Sequence, residues 1–310
     1  MPNTKTIDVP HLGGISAAYQ TSPDFSPSTK PTLLLVNSFT TSSELYRAAY
    51  TNTALTSVMN LISIELLGHG QTRVKDEKTH WTYWDTAIMN LQVLEKLGVQ
   101  KFFVLGTSQG GWITVRMALL GPDRVQGIIP LGTSLDYESE RTRKLGCWQA
   151  PDLLGKSIQE EFSSKTATPD FVPSKEYSNF LIDIGFGTNV AKDIRDYWVS
   201  EIEKNYRGDD GRRRIRMAAI NLRDRDGLHS RAADVICPVL WLHGTDDAVY
   251  TVANAKEEIE LFTGSSDAKL EVIKGGKHFL SASHPEEVFG AVISFVKKYG
   301  KIGRVGDMYV

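Results

Sequence analysis

A short apolar run, Lys101-Phe102-Phe103-Val104-Leu105, leads into Gly106-Thr107-Ser108-Gln109-Gly110, and residues 111–120 follow with the apolar density of a buried helix. A G-x-S-x-G pentapeptide between a strand and a helix forces a sharp turn and lifts the serine hydroxyl above the edge of a sheet. Glycines two before and two after the serine leave room for strand and helix to approach, because neither brings a Cβ. Few topologies accommodate such a turn. The strand belongs in a parallel sheet, with its helix crossing back over one face.

The rest of the chain keeps that rhythm. Thr6–Val9 and Ile15–Tyr19 flank Gly13-Gly14 as a hairpin, and a Pro/Ser-rich connector follows at 22–28. Thr32–Val36 reads as a buried strand from its continuous apolar run. Thr41-Ser42-Ser43-Glu44 reads as a capping box that opens one helix through Val58. Leu61–Glu65 and Val125–Leu131 are further strands. Trp84–Leu97 reads as a helix with Ile88, Leu91, Leu94 and Leu97 on its inner face and Gly98 as its stop. From Leu135 to Arg231 the alternation fails, which marks a mainly helical insertion. It resumes with the strand Val235–His243, the helix Val252–Phe262 and the strand Leu270–Ile273. A last helix starts at Pro285, with Glu286 and Glu287 near its positive end and Val288, Val292, Phe295, Val296 and Tyr299 on one face. The expected class is α/β, a mostly parallel central sheet with helices on both faces. The expected division is a core of residues 1–134 and 232–300, a helical cap at 135–231 and a loose tail at 301–310.

Composition narrows the function classes. A chain of 310 residues suits one domain with a sizeable insertion. Lys+Arg 35 against Asp+Glu 37 argues against nucleic acid as the main partner. No apolar run is long enough for a membrane span, and the N-terminus lacks the apolar core of a signal peptide. Cys147 and Cys237 imply no disulfide framework and read as packed small residues. The expected location is cytoplasmic, and a homodimer is left open.

A serine hydroxyl at neutral pH needs an adjacent base, itself oriented by an acid. His278 stands in Gly275-Gly276-Lys277-His278, directly after the last expected strand, where a tight loop carries the imidazole over the sheet edge. His284 precedes Pro285 and reads as a helix-start residue. The acid belongs on His243-Gly244-Thr245-Asp246-Asp247-Ala248, where adjacent carboxylates cannot both face one imidazole; Asp247 is taken as the orienting acid and Asp246 as its structural neighbour. Two backbone N–H groups must hold a developing oxyanion. Gln109 supplies one and Phe39 the other, with Thr40 as the alternative. Asn37 and Thr40 are candidate substrate contacts on the same polar loop.

With these residues in place the chain resembles the α/β-hydrolase family over nearly its whole length. Glu65-Leu66-Leu67-Gly68-His69-Gly70-Gln71-Thr72 is similar to the family's Asp-x-x-Gly-His-Gly-x-Ser turn and reads as a structural loop. Asn37-Ser38-Phe39 resembles the Asn-Ser-Leu stretch of enol-lactone hydrolases, and Pro238–Asp247 resembles hydrolases of fungal secondary-metabolite clusters. The resemblance implies a serine hydrolase for a small-to-medium apolar ester or lactone, with no metal and no organic cofactor. A serine at the elbow excludes the haloalkane dehalogenases, which need a carboxylate there. Carbon–carbon hydrolases, hydrolase-fold cyclases and a non-catalytic ligand receptor stay open as alternatives.

The insertion would cover the nucleophile. Its aromatics suit a bulky apolar group, with Trp148, Phe180, Phe186 and Trp198 as candidate pocket residues, although many such rings simply form a cap's own core. Arg212-Arg213-Arg214 with Arg216 reads as a solvated helix face, with contact to a substrate carboxylate or a coenzyme phosphate as the alternative.

Overall fold

A computed structural model describes residues 2–76 and 79–300. The expected tail at 301–310 lies outside them. Nine strands form one sheet: β1 (Lys5–Val9), β2 (Ile15–Thr21), β3 (Thr32–Val36), β4 (Asn60–Ile64), β5 (Arg73–Val74), β6 (Phe102–Thr107), β7 (Val125–Leu131), β8 (Val239–Gly244) and β9 (Ala268–Ile273). Their order is β1-β2-β4-β3-β6-β7-β8-β9, with the short β5 paired to β2. From β4 to β9 every pairing is parallel, and the β1–β2 hairpin joins antiparallel at one edge.

The continuous apolar runs are the strands buried on both faces, as in β3, β4, β6 and β8. Side chains alternate between two apolar layers. Leu33, Leu35, Leu105 and Leu242 pack with Val288, Val292 and Phe295 of the last helix, Pro285–Tyr299. Leu34, Val36, Val104 and Trp241 pack on the other side with Val93 and with Trp112 and Ile113 of the helix Gln109–Leu120.

Four sequence expectations need correction. The single helix through Val58 is three pieces: a 3₁₀ turn at Ser43–Tyr46 and helices at Arg47–Thr51 and Thr53–Val58. Ser42, not Thr41, caps the first by accepting the Glu44 N–H. Asn52 takes an extended conformation and restarts the helix by accepting the Leu55 N–H at 2.9 Å. An Asn side chain offers the backbone this competing bond wherever it falls. The helix Tyr83–Lys96 buries Ala87, Met89, Asn90, Val93 and Leu94, whereas Ile88, Leu91 and Leu97 are half-buried. It is wedged against the hairpin and the helix after β6, with Asn90 against Met117, so its covered face is broader than one stripe. Finally, β8 starts at Val239 and not at Val235, since Pro238 has no N–H for the ladder; the helix after it ends at Ile259, short of Phe262.

Between β7 and β8 the chain makes a helical excursion. Its longer helices are Lys175–Phe186, Lys192–Asn205 and Gly208–Arg223. A fully buried carboxylate clasps both of its ends. Glu258 accepts from Ser134 Oγ at 2.9 Å, Leu135 N at 2.8 Å and Arg141 Nη2 at 2.9 Å on the outgoing side. It accepts from His229 Nε2 at 2.8 Å on the returning side. A second buried pair, Arg225 with Glu138 at 2.9 Å, repeats the tie.

Candidate active site

The turn after β6 is as sharp as its sequence requires. Ser108 sits at φ 53°, ψ −112°, immediately before the helix Gln109–Leu120. A side chain held there stores strain that the surroundings must impose. They do so through the backbone: Ser108 N–H donates to Leu131 O at 2.8 Å, and Ser108 O accepts from Gly111 N–H and Thr133 Oγ1, both at 2.8 Å. A Cβ on Gly106 would stand 2.2 Å from Gly110 O, and one on Gly110 would stand 2.1 Å from Val36 O. Only glycine fits at either place.

The loops after β8 and β9 bring Asp247 and His278 together. His278 Nδ1 lies 3.0 Å from both Asp247 oxygens. Asp247 Oδ1 also accepts the N–H groups of Val249 at 2.8 Å and Tyr250 at 3.0 Å. Burial by itself would raise the Asp247 pKa. The His278 imidazole, its hydrogen bond, His243 and the Val249 N–H outweigh burial, so the carboxyl lies below its ordinary range. Asp246 faces elsewhere and pairs with Lys277 Nζ at 2.9 Å. His284 stands at the N-cap position of the last helix, with no side-chain capping bond among the described residues.

Ser108 and His278 line the same cavity. Among the described residues the Ser108 hydroxyl makes no hydrogen bond, and catalytic contacts of this kind often close only around a substrate. The loop after β3 forms the next wall. Thr41 N–H donates to Ser38 O at 3.1 Å, and Thr40 takes φ 58°. Among the described residues no hydrogen bond uses the N–H of Phe39 or of Gln109. Asn37 does not reach the cavity: its Nδ2 donates to Thr41 O at 2.8 Å and its Oδ1 accepts from Leu66 N–H at 3.3 Å. An amide with both ends engaged this way braces the loop. Thr40 does line the cavity.

Of the four candidate aromatics, Trp148, Phe186 and Trp198 line the cavity and Phe180 does not. Phe180 packs against the apolar core, because the cavity-facing stripe of its helix carries Leu181, Ile182, Ile184 and Phe186. Phe279 and Tyr250 were not expected in the lining. The Phe279 ring lies 5.5 Å from the His278 ring, and Phe186 meets Phe279 edge-on at 5.0 Å. Their signal was adjacency, since Phe279 follows His278 and Tyr250 ends the loop of Asp247. Gly132 had no signal. It has φ +48°, and a Cβ on it would stand 2.7 Å from His278 O and 2.9 Å from Asp247 Oδ2. The acid–base pair rests on its bare Cα.

The turn Glu65–Thr72 braces this wall from behind. Glu65 is buried and accepts from Ser43 N–H at 3.3 Å and Gln71 N–H at 2.6 Å. His69 is fully buried, with Nδ1 2.9 Å from Leu67 O and its ring edge-on to Phe39 at 6.3 Å. Burial, with Arg214 adding to it, pushes the His69 pKa down to about 4. The arginine run is not a solvated face throughout. Arg212 is buried on Phe162 O and Thr168 Oγ1, and Arg214 on Asp210 and Gly68 O. Arg212 and Arg214 are both on the buried side of the helix Gly208–Arg223.

Among the described residues no group of three or more His, Cys, Asp or Glu side chains is placed to hold a metal ion, and no helix is long and apolar enough to cross a membrane. Residues 31–285 match the family model described as alpha/beta hydrolase fold. The chain belongs to the α/β hydrolase family. A curated relative of this hydrolase, epoxide hydrolase 3 of Siraitia grosvenorii, is 23% identical over 274 residues, 77% of this chain and 83% of the relative. A thermophilic esterase from Thermogutta terrifontis superposes with a TM-score of 0.74 at 18% identity, over 96% of this chain and 100% of the other. An enol-lactonase from Burkholderia xenovorans LB400 gives 0.72 at 15% identity, over 94% and 100%. At such identities these two structures speak for the fold alone.

Proposed function

We propose that this hydrolase cleaves a small-to-medium apolar ester or lactone through a Ser108–His278–Asp247 triad. The observation that carries the reading is the strained Ser108 in one cavity with an imidazole already oriented by a buried carboxylate. Ser108 Oγ attacks the carbonyl carbon while His278 Nε2 takes its proton. The N–H groups of Phe39 and Gln109 hold the oxyanion, and collapse expels the alcohol, protonated by His278. His278 then draws a proton from water, which attacks the acyl-enzyme and frees the acid and Ser108. Asp247 keeps the Nδ1–H tautomer throughout.

Acyl chemistry follows from the nucleophile. A serine alkoxide that opened an epoxide would form an ether, which water does not cleave under these conditions; an acyl ester it does cleave. The substrate class follows from the lining. Leu181, Ile182, Phe186, Trp198, Leu222 and Phe279 enclose a free volume of about 550 Å³, open solvent at its mouth included. Among the described residues, none of the lining side chains is a carboxylate, lysine or arginine, so a charged acyl or alcohol group would lose its hydration without a partner there. Residues 135–231 act as the cap that supplies most of this apolar surface. Treatment with a fluorophosphonate tests the reading. Labelling that vanishes in Ser108→Ala and in His278→Ala, followed by turnover of neutral p-nitrophenyl esters or lactones, supports it. A folded protein that takes no label refutes it.

A further inference from the structure

A second cavity opens where the helix Gly208–Arg223 lies over the segment between β4 and the helix Tyr83–Lys96. Its free volume is about 960 Å³ on the same measure, and none of its lining is shared with the cavity around Ser108. Among the described residues, Arg73, Arg213, Arg214 and Arg216 line it with His80, and Asp210 is the carboxylate in that lining. Trp81 and Met217 add an apolar wall.

Among the described residues, Arg73 and Arg214 have one carboxylate between them. Arg73 Nε at 3.3 Å and Arg214 Nε at 2.8 Å share the single oxygen Asp210 Oδ2. Arg214 spends its terminal nitrogens on Gly68 O and Asn205 O, which hold it in place. Arg73 gives Nη1 to Gly70 O and Thr72 O, and Arg216 gives Nε to Ser163 Oγ. Among the described residues, Arg73 Nη2 and both Arg216 terminal nitrogens make no hydrogen bond. Burial, and then the Arg214 cation beside it, hold the Arg73 pKa below its usual range in spite of Asp210. Guanidinium groups with forked donors to spare beside an apolar wall match a planar or tetrahedral oxyanion carried on an apolar body.

We infer that this seam binds a small organic anion, a phosphate or carboxylate on an apolar body, at a site separate from the hydrolytic one. Arg73 and Arg216 grip the oxyanion, Arg214 sets their spacing, and Trp81 with Met217 covers the body. The site borders the oxyanion loop through stacked edges: Arg214 over the Tyr206 ring at 5.4 Å, Tyr206 against His69 at 6.3 Å, and His69 against Phe39 at 6.3 Å.

Titration calorimetry on the full chain tests this with phenyl phosphate, benzoate and inorganic phosphate, at ionic strength matched with sodium chloride. The expected result is saturable 1:1 binding of phenyl phosphate or benzoate, tighter than inorganic phosphate. The stronger of the two identifies the head group. Arg216→Glu should weaken it at least tenfold at unchanged Tm, and Lys192→Glu, outside the cavity, should leave it unchanged. Binding should survive fluorophosphonate treatment, which separates this site from the hydrolytic one. The inference is overturned by the absence of saturable heat, by equal binding in Arg216→Glu, or by loss of binding after the fluorophosphonate.

Discussion

The two walls of the main cavity are built by different means. On the sheet side, Ser108, the Phe39–Thr40 turn and the Asp247 loop are held mostly by backbone hydrogen bonds and by glycines at close approaches. On the side of the excursion between β7 and β8, Leu181, Phe186, Trp198 and Leu222 are held by side-chain packing, and the ends of that excursion are clasped by the side-chain carboxylates Glu258 and Glu138. Backbone geometry is insensitive to most substitutions; side-chain packing changes with each of them. The chemistry should therefore reside in the rigid wall and the specificity in the replaceable one.

The largest test of this division is on the rigid wall. Asp247→Asn keeps the shape but disturbs the tautomer, and kcat should fall roughly 10⁴-fold with little change in KM. An unchanged kcat in steady-state assays would remove Asp247 from the mechanism.

Acid stability probes the same wall from behind. His69 is neutral in the fold, with its pKa lowered from 6.5 to about 4. Between those values the unfolded chain binds a proton that the native one refuses. Stability should fall as pH drops from 6.5 to about 4, by on the order of 3 kcal/mol, and this contribution should then level off. Asp247, with its pKa depressed, contributes stability above the ordinary carboxylate range that is lost only as pH falls through its lower native value. Urea melts of the protein and of His69→Asn across this range check the sign, since the variant should lose the upper part of the slope.

Gly132→Ala adds one methyl group beneath the acid–base pair. Displacing His278 and Asp247 by a fraction of an ångström should lower kcat about a hundredfold, and a far smaller loss would show that the loops are softer than the comparison holds. The mildest effect belongs to the cap. Phe186→Ala removes a ring that touches Trp198 and Phe279. It should cut the kcat/KM preference for bulky over short acyl esters about tenfold and leave kcat for the short ester unchanged. A drop in kcat for both substrates would place Phe186 in the chemical step and blur the division.

Legibility in the sequence follows the same division. The strands and the elbow could be read because apolar runs and glycine spacing are local consequences of close packing in a parallel sheet. The helix at 43–58 was misread because Asn52 offers its cap wherever the fold allows, and an Asn within a helical pattern does not announce that choice. Asn37 looked like a substrate contact because its type fits one; its engagement with Thr41 and Leu66 is a matter of fold. Phe180 and Phe186 are both aromatic and six residues apart on one helix, and the helix's rotation alone sends one to the core and the other to the cavity. The arginine run divided in the same way, between inner positions at Arg212 and Arg214 and the exposed Arg213.

By itself, the sequence determined the α/β class, the turn at Ser108 and which loops carry Asp247 and His278, because each depends on neighbours within a few residues. Only the tertiary structure decided that Gly132 floors the Asp247–His278 pair, that Leu181 and Leu222 face the cavity, and that Arg73 and Arg216 line one seam. Those contacts join residues far apart along the chain, and their partners exist only once the sheet and the excursion have packed.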